Sequence, residues 1–212
     1  MQPLAGFEPL SINNKPNLIL GFHGCEKKDQ EQFLKDINYV KQSREAFDWL
    51  GHGMYFWENN MERALLWAER KKEAGTLKEP AVIGAVLDLG YCFDLLDSSN
   101  ISLLKDCFNL FKKESEFLYR PIPINIDHPK EKNKDKVLRY LDCAVIEYTH
   151  KFLKEKGQNS FDSVRATFIE GNPIYPSAGF YDKTHIQICI INPNCIKGVF
   201  LPRKKNISFN TV

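Results

Sequence analysis

Short blocks of apolar residues, separated by polar and glycine-rich stretches, set the pattern of this chain and predict its strands. Nearly continuous apolar runs such as 81–89 are typical of buried strands. Runs in which apolar and polar side chains alternate, as in 185–191, indicate strands with two different faces. The predicted strands are 18–25, 51–57, 81–89, 92–96, 161–168, 185–191 and 196–201.

Four other segments carry apolar residues three or four positions apart, the spacing of one helix face. The predicted helices are 28–37, 60–73, 101–117 and 138–156. Asn59 is the predicted N-cap of the second helix, with Glu62 at the capping-box position. Residues 1–16 are predicted as an arm or loop, and 130–136 as a charged connector. We therefore expect one α+β domain over residues 1–212, with a helical block at about 101–156.

Composition and charge narrow the class of protein. The 212 residues are 43% hydrophobic and 26% charged, which suits a single soluble domain with a core. The net charge of +2 is too small to indicate nucleic-acid binding by itself. Six cysteines form no C-x-x-C pair, and neither a secretory signal nor an apolar run of about 18 residues is visible. We expect a cytoplasmic protein with reduced thiols and no membrane partner.

Three of the predicted strands carry a recurring type of motif. Residues 21–25 read G-F-H-G-C, residues 51–56 read G-H-G-M-Y-F, and residues 185–189 read H-I-Q-I-C. In this order they resemble the ADP-ribosyltransferase superfamily in its diphtheria-toxin and poly(ADP-ribose)-polymerase branch. Over 21–200 the chain is more narrowly similar to uncharacterised bacterial proteins with W-L-G-x-G-I-Y-F-W-E and H-I-Q-I-C motifs. The resemblance implies split antiparallel β-sheets with flanking helices and a helical insert.

The same resemblance implies NAD as substrate and no metal. Its nicotinamide–ribose bond breaks through an oxocarbenium-like state, so a protein mainly has to hold both ends rigidly. The family assigns a ribose hydroxyl to His23, while the backbone at Gly24 can bond the nicotinamide amide and Tyr55 can stack on its ring. Arg165 has two open roles, a contact to the NAD phosphates or an ordinary salt bridge. The residues predicted to bind NAD are His23, Gly24, Gly53, Tyr55, Phe56 and Arg165.

The third family position departs from the usual pattern. Gln187 stands where an acidic residue is expected, and an amide can bond ribose hydroxyls but cannot act as a general base. This favours transfer of one ADP-ribose over polymer elongation. Glu170, on the loop before the late strand, is the hypothetical acceptor-activating base; the alternative is a residue of the loop surface. We expect His52 to face solvent. Glu58 is expected to complement the dipole of the following helix, and a catalytic role is the alternative. The predicted catalytic residues are His23, Tyr55, Gln187 and Glu170.

The resemblance therefore predicts a mono-ADP-ribosyltransferase that modifies a protein or a nucleic acid. Within the family such an enzyme can be a bacterial toxin or a phage-defence effector, and a toxin would have an antitoxin as partner. Two alternatives stay open. One is an NAD-binding module that lacks catalysis because Gln187 replaces the acid. The other is an NAD glycohydrolase, whose acceptor is water.

Overall fold

The computed structural model describes residues 18–36, 38–127, 135–203 and 208. In this part of the chain seven strands and four α-helices confirm an α+β fold. The strands are β1 (Ile19–Glu26), β2 (Met54–Glu58), β3 (Pro80–Leu87), β4 (Cys92–Asp94), β5 (Ser163–Phe168), β6 (His185–Ile190) and β7 (Ile196–Phe200). The helices are α1 (Lys27–Lys35), α2 (Met61–Glu73), α3 (Ser98–Phe117) and α4 (Tyr140–Glu155). Every predicted strand and helix is present, with shifted boundaries, and α3 and α4 form the predicted helical block.

The strands form one sheet in the order β4-β5-β6-β2-β1-β3-β7. The predicted split antiparallel sheets differ from this single sheet in two respects. The two halves of the sheet are joined because β1 and β2 pair at Gly21↔Glu58 and Phe22↔Trp57. In addition, β4 runs parallel to β5, since α3 and α4 lie between them in the chain and form the long crossover that a parallel pair requires.

Each face of the sheet is covered by different helices. The first face packs against α1 around the buried Phe33, and we call it the α1 face. The opposite face, the α2 face, is covered by α2 next to β1 and β3, and by α4 next to β5. The largest buried side chains of the α1 face are Phe33, Met54, Phe56, Ile83, Leu87, Ile188 and Ile190. Those of the α2 face include Leu50, Trp57, Phe93, Ile146, Leu153, Phe161 and Val164.

The turn from β2 into α2 corrects the predicted cap by one residue. Asn59 has a left-handed backbone, with φ of 50°, and its N–H still donates to the Leu20 carbonyl at 2.9 Å. It therefore belongs to the end of the sheet. The N-cap is Asn60, whose side-chain oxygen accepts from the Arg63 N–H at 3.0 Å. Asn59 adopts a left-handed backbone and Asn60 caps the helix, and the sequence pattern could not tell these two roles apart.

Other expectations have mixed outcomes. The six cysteines are buried and free of disulfide bonds. No helix in the described ranges is long and apolar enough to cross a bilayer. The predictions for 1–16 and for most of 130–136 lie outside the described residues.

Candidate functional site

His23 lies near the centre of the sheet, on β1. Its ring packs on the α1 face against Phe33 and Phe56, with centroids 5.9 and 5.8 Å away. His23 Nδ1 lies 2.7 Å from the Tyr55 carbonyl oxygen. A carbonyl can only accept, so Nδ1 carries the proton and Nε2 has a free lone pair. Burial lowers the pKa of His23, which keeps the ring neutral near pH 7.

The ladder between β1 and β2 ends where His23 inserts its ring. In an antiparallel ladder the N–H and C=O groups of every second residue point to the same neighbouring strand. Phe22 pairs with Trp57 in this way, so the N–H and C=O of Gly24 also point towards β2, opposite Tyr55. No β1–β2 pair is formed there, because the Tyr55 carbonyl is bonded to His23 instead. The backbone of Gly24 is consequently an open strand edge.

A side chain at Gly24 would clash with helix α2. A Cβ atom built there would lie 2.2 Å from the Ala64 carbonyl oxygen of α2 and 3.2 Å from the Trp67 ring. Only glycine allows β1 to pass this close to the helix. The second predicted glycine, Gly53, is equally tight, since its Cβ would lie 2.5 Å from Cys189 Sγ. Both N–H and C=O of Gly53 bond Ser43, so Gly53 shapes the loop before β2.

Tyr55 projects from β2 onto the α2 face. Its hydroxyl donates to the Gly51 carbonyl at 2.6 Å and accepts from the Leu50 N–H at 2.8 Å. These two bonds fix the plane of the aromatic ring. Burial raises the pKa of Tyr55 well above its usual value, so the phenol is neutral. Tyr55 therefore offers a rigid, uncharged aromatic surface next to the Gly24 edge.

Gln187 lies on β6, paired with Trp57 of β2 and Ala166 of β5. Because Tyr55 and Trp57 are two residues apart on β2, Gln187 shares the α2 face with Tyr55. It is 9% exposed, and its amide forms no hydrogen bond with the described part of the chain. The structure thus brings Tyr55 and Gln187 to one face. The His23 side chain lies on the other face and reaches only the backbone of Tyr55.

Two residues predicted to bind NAD have structural partners instead. Phe56 is fully buried in the core of the α1 face and has no exposed surface for a ligand. Arg165 donates to both carboxylate oxygens of Glu58, at 2.6 and 3.0 Å, and to Asp94 at 3.1 Å. Arg165 pairs with Ile188 on β6, which places it on the α1 face, away from Gln187. Its position corresponds to the salt-bridge alternative. Glu58 serves this ion pair rather than the dipole of α2.

Glu170 lies just past β5 and is buried, with 6% exposure, so it is not a loop-surface residue. Arg63 of α2 donates to its Oε2 at 3.0 Å, and His185 Nδ1 lies 3.4 Å from the same oxygen. Burial raises the pKa of Glu170, and the charge of Arg63 opposes that rise. His185 Nδ1 also donates to the Lys183 carbonyl at 2.7 Å. Burial lowers the pKa of His185 to about 4, so its ring is neutral.

His185 is enclosed by aromatic rings. The Trp49 and Trp57 rings each lie 6.3 Å from it, and Phe168 lies 5.8 Å from it. The Arg139 guanidinium stands 4.4 Å over the Trp49 ring. We call the following set the His185 cluster: Trp49, Trp57, Arg63, Arg139, Phe168, Glu170 and His185.

The His185 cluster holds most of the unsatisfied polar atoms of the described residues. Among the described residues, six buried side-chain nitrogens lack a hydrogen-bond partner. Four of the six belong to the His185 cluster: Trp57 Nε1, Arg63 Nε, Arg139 Nε and His185 Nε2. Buried polar atoms are normally paired, so such a concentration points to a ligand. The sequence pattern named only Glu170. His185 could have been found, because it precedes Gln187 by two residues on an alternating strand and so shares its face.

Other features of the surface lie apart from this face. His52 is not simply solvated, since its ring nitrogen lies 3.3 Å from a carboxylate oxygen of Glu147. A groove of about 430 Å³ runs between α3 and α4, lined by Phe111, Tyr148 and neighbours, and includes none of the predicted site residues. No group of His, Cys, Asp and Glu side chains that could hold a metal ion occurs in the described ranges.

No family model, curated protein or solved structure matches this chain. What this site can bind therefore has to be inferred from its own geometry. That geometry offers an open strand edge, a rigid aromatic ring and an unpaired amide along one face of the sheet. Such a face can bind a planar amide and hydroxyl groups.

Proposed function

We propose that this protein is a mono-ADP-ribosyltransferase that uses NAD to modify a protein or a nucleic acid. The observation that carries the proposal is the open backbone edge of Gly24 beside the fixed ring of Tyr55. A carboxamide has one N–H donor side and one carbonyl acceptor, which are complementary to the C=O and N–H of a free strand edge. Nicotinamide is a flat aromatic ring that bears such a carboxamide.

Tyr55 supports this arrangement through its rigidity. A nicotinamide ring bonded at Gly24 would lie next to the Tyr55 side chain and could stack in an offset manner. Since the Tyr55 hydroxyl is already bonded to Gly51 and Leu50, the ring needs no reordering when the ligand binds. His23 contributes indirectly in this proposal. Its bond to the Tyr55 carbonyl keeps that acceptor occupied and leaves the Gly24 edge open.

The chemistry proposed is glycosyl transfer. The bond between ribose C1′ and the nicotinamide nitrogen breaks, its electron pair goes to the nitrogen, and neutral nicotinamide leaves. The acceptor then forms a new bond to C1′. Gln187 can orient the ribose hydroxyls, but its amide supplies no negative charge to the developing cation. Elongation of a polymer needs activation of a ribose hydroxyl, so the amide favours a single transfer. Glu170 is the acceptor-activating base in this proposal.

A second candidate is an NAD-binding module without transfer activity. It is favoured because the two candidate carboxylates, Glu170 and Glu58, are both held in ion pairs. Glu170 is paired with Arg63, and Glu58 is bound to Arg165 on the opposite face. A third candidate, hydrolysis of NAD to free ADP-ribose, differs only in the acceptor.

One experiment separates these candidates. Purified protein is incubated with NAD labelled in the adenylate, with and without cell extract, and both nicotinamide release and label on macromolecules are measured. Transfer gives nicotinamide release together with label that either protease or nuclease removes. Release without labelled macromolecules indicates hydrolysis, and no release with NAD still bound indicates a binding module.

Variants test the site itself. Tyr55→Ala removes the stacking surface and should abolish nicotinamide release. Tyr119→Ala is the matched control, because Tyr119 is 96% exposed at the end of α3 and should leave release unchanged. Glu170→Gln should lower transfer to the macromolecule more than it lowers nicotinamide release. Full release by folded Tyr55→Ala protein would overturn the proposed site.

A further inference from the structure

We propose that Trp57, His185 and Gln187 form a site for the vicinal hydroxyl groups of a ribose. This inference rests on the proposed function and specifies how the donor nucleotide is held. The resemblance of the sequence assigns no role to Trp57 or His185.

Trp57 and His185 have opposite hydrogen-bonding needs. The indole Nε1–H of Trp57 can only donate, and it has no partner in the described structure. His185 Nδ1 donates to the Lys183 carbonyl, so the neutral ring presents a lone pair at Nε2, which also lacks a partner. The two residues are 4% and 5% exposed, so bulk water does not compensate either atom. Their joint requirement is a group that both accepts and donates.

A hydroxyl group meets this requirement. The ring centroids of Trp57 and His185 lie 6.3 Å apart, so the two residues are neighbours on the α2 face, and one hydroxyl oxygen can accept from an N–H while its own proton is donated to a lone pair. The amide of Gln187, directly opposite Trp57 on the neighbouring strand, is free to bond a second hydroxyl. Two adjacent hydroxyls are the feature that distinguishes ribose from most other groups of a nucleotide.

The charges around Trp57, His185 and Gln187 favour a neutral ligand group at this site. Trp57, Gln187 and the neutral His185 carry no charge, and the two cations that act on His185, Arg63 and Arg139, are paired with Glu170 and Asp142. A phosphate would find no uncompensated positive charge within these three residues. Hydroxyls suit the site better, and the position next to Tyr55 on β2 indicates the ribose that carries nicotinamide.

The test measures binding by calorimetry without any acceptor. The ligands are NAD and two analogues in which the nicotinamide ribose lacks either the 2′- or the 3′-hydroxyl. Trp57→Phe removes the N–H and keeps an aromatic ring, and Tyr119→Phe, at a position that is 96% exposed, is the control. We expect Trp57→Phe to weaken NAD on the order of tenfold. It should leave the affinity for one of the two analogues unchanged, because that analogue has already lost the bridging hydroxyl.

Each outcome decides the inference. An equal loss of affinity for NAD and for both analogues in Trp57→Phe would show a purely structural role and overturn it. Equal NAD binding by wild-type and Trp57→Phe protein would also overturn it, while leaving the proposed function intact. If NAD binds as expected but is never consumed, the transfer activity fails and the hydroxyl site stands. Absence of NAD binding to the wild-type protein overturns both.

Discussion

Replacement of Arg165 by methionine should destabilise the fold strongly and leave the NAD site that we propose unchanged. The side chains of Arg165, Glu58 and Asp94 are only 13%, 14% and 12% exposed, and they join β5, β2 and β4. The change would leave Glu58 facing the core with no cation. Loss of one partner from a buried ion pair costs about 3–5 kcal/mol, because the remaining charge is uncompensated. We expect a loss of this size in the free energy of unfolding.

Urea unfolding of single and double variants measures the effect. Glu58→Met in the Arg165→Met background removes the stranded charge, so the double variant should lose less than the sum of the two single losses. Arg120→Met, at an exposed position, is the control and should change stability by less than about 0.5 kcal/mol. The reasoning is refuted if Arg165→Met costs no more than this control, or if the two single losses simply add. NAD affinity of the double variant should equal that of the wild type.

Three further predictions concern local features. Burial lowers the pKa of His185 from 6.5 to about 4, so the unfolded chain binds the extra proton first as the pH falls. The free energy of unfolding should therefore decrease by about 3 kcal/mol between pH 6.5 and pH 4. Urea unfolding of His185→Gln should show a smaller decrease over the same range. Asn60→Ala should cost about 1 kcal/mol in thermal unfolding, whereas Asn59→Gly should cost less because glycine tolerates a left-handed backbone. Burial raises the pKa of Cys25 and Cys143 to about 12, so a thiol reagent should label these residues only in denaturant; rapid native labelling would contradict their burial.

Local sequence patterns predicted the helices and strands of this fold well, because each of them follows from the spacing of apolar residues within a short segment. The apolar run at 81–89 became β3, and the spacing of Leu141, Val145 and Tyr148 became α4. Boundaries shifted by a few residues, as at Asn59 and Asn60. There the choice of cap depended on a hydrogen bond to β1 that no local pattern encodes.

Long-range partners were beyond the sequence pattern. Glu58 and Arg165 are 107 residues apart in the chain, and only the strand order makes them neighbours. The same is true of Arg63 and Glu170. The side of the sheet that His23 occupies also follows from the pairing of β1 with β2, which motif order does not specify. The motifs predicted where the central strands lie in the chain. Which side chains meet depends on the register of each strand pair, which the motifs do not contain.

The position of β6 in the sheet has a consequence for biosynthesis. β6 lies between β2 and β5, and it is made after both of them, from residues 185–190. Until Ile190 has left the ribosome, the inner edges of β2 and β5 have no strand between them. Assembly therefore depends on contacts between distant parts of the chain, which generally slows folding. A nascent chain of this protein therefore lacks a central strand of its sheet, and with it the face that carries Gln187, until residues 185–190 have been made.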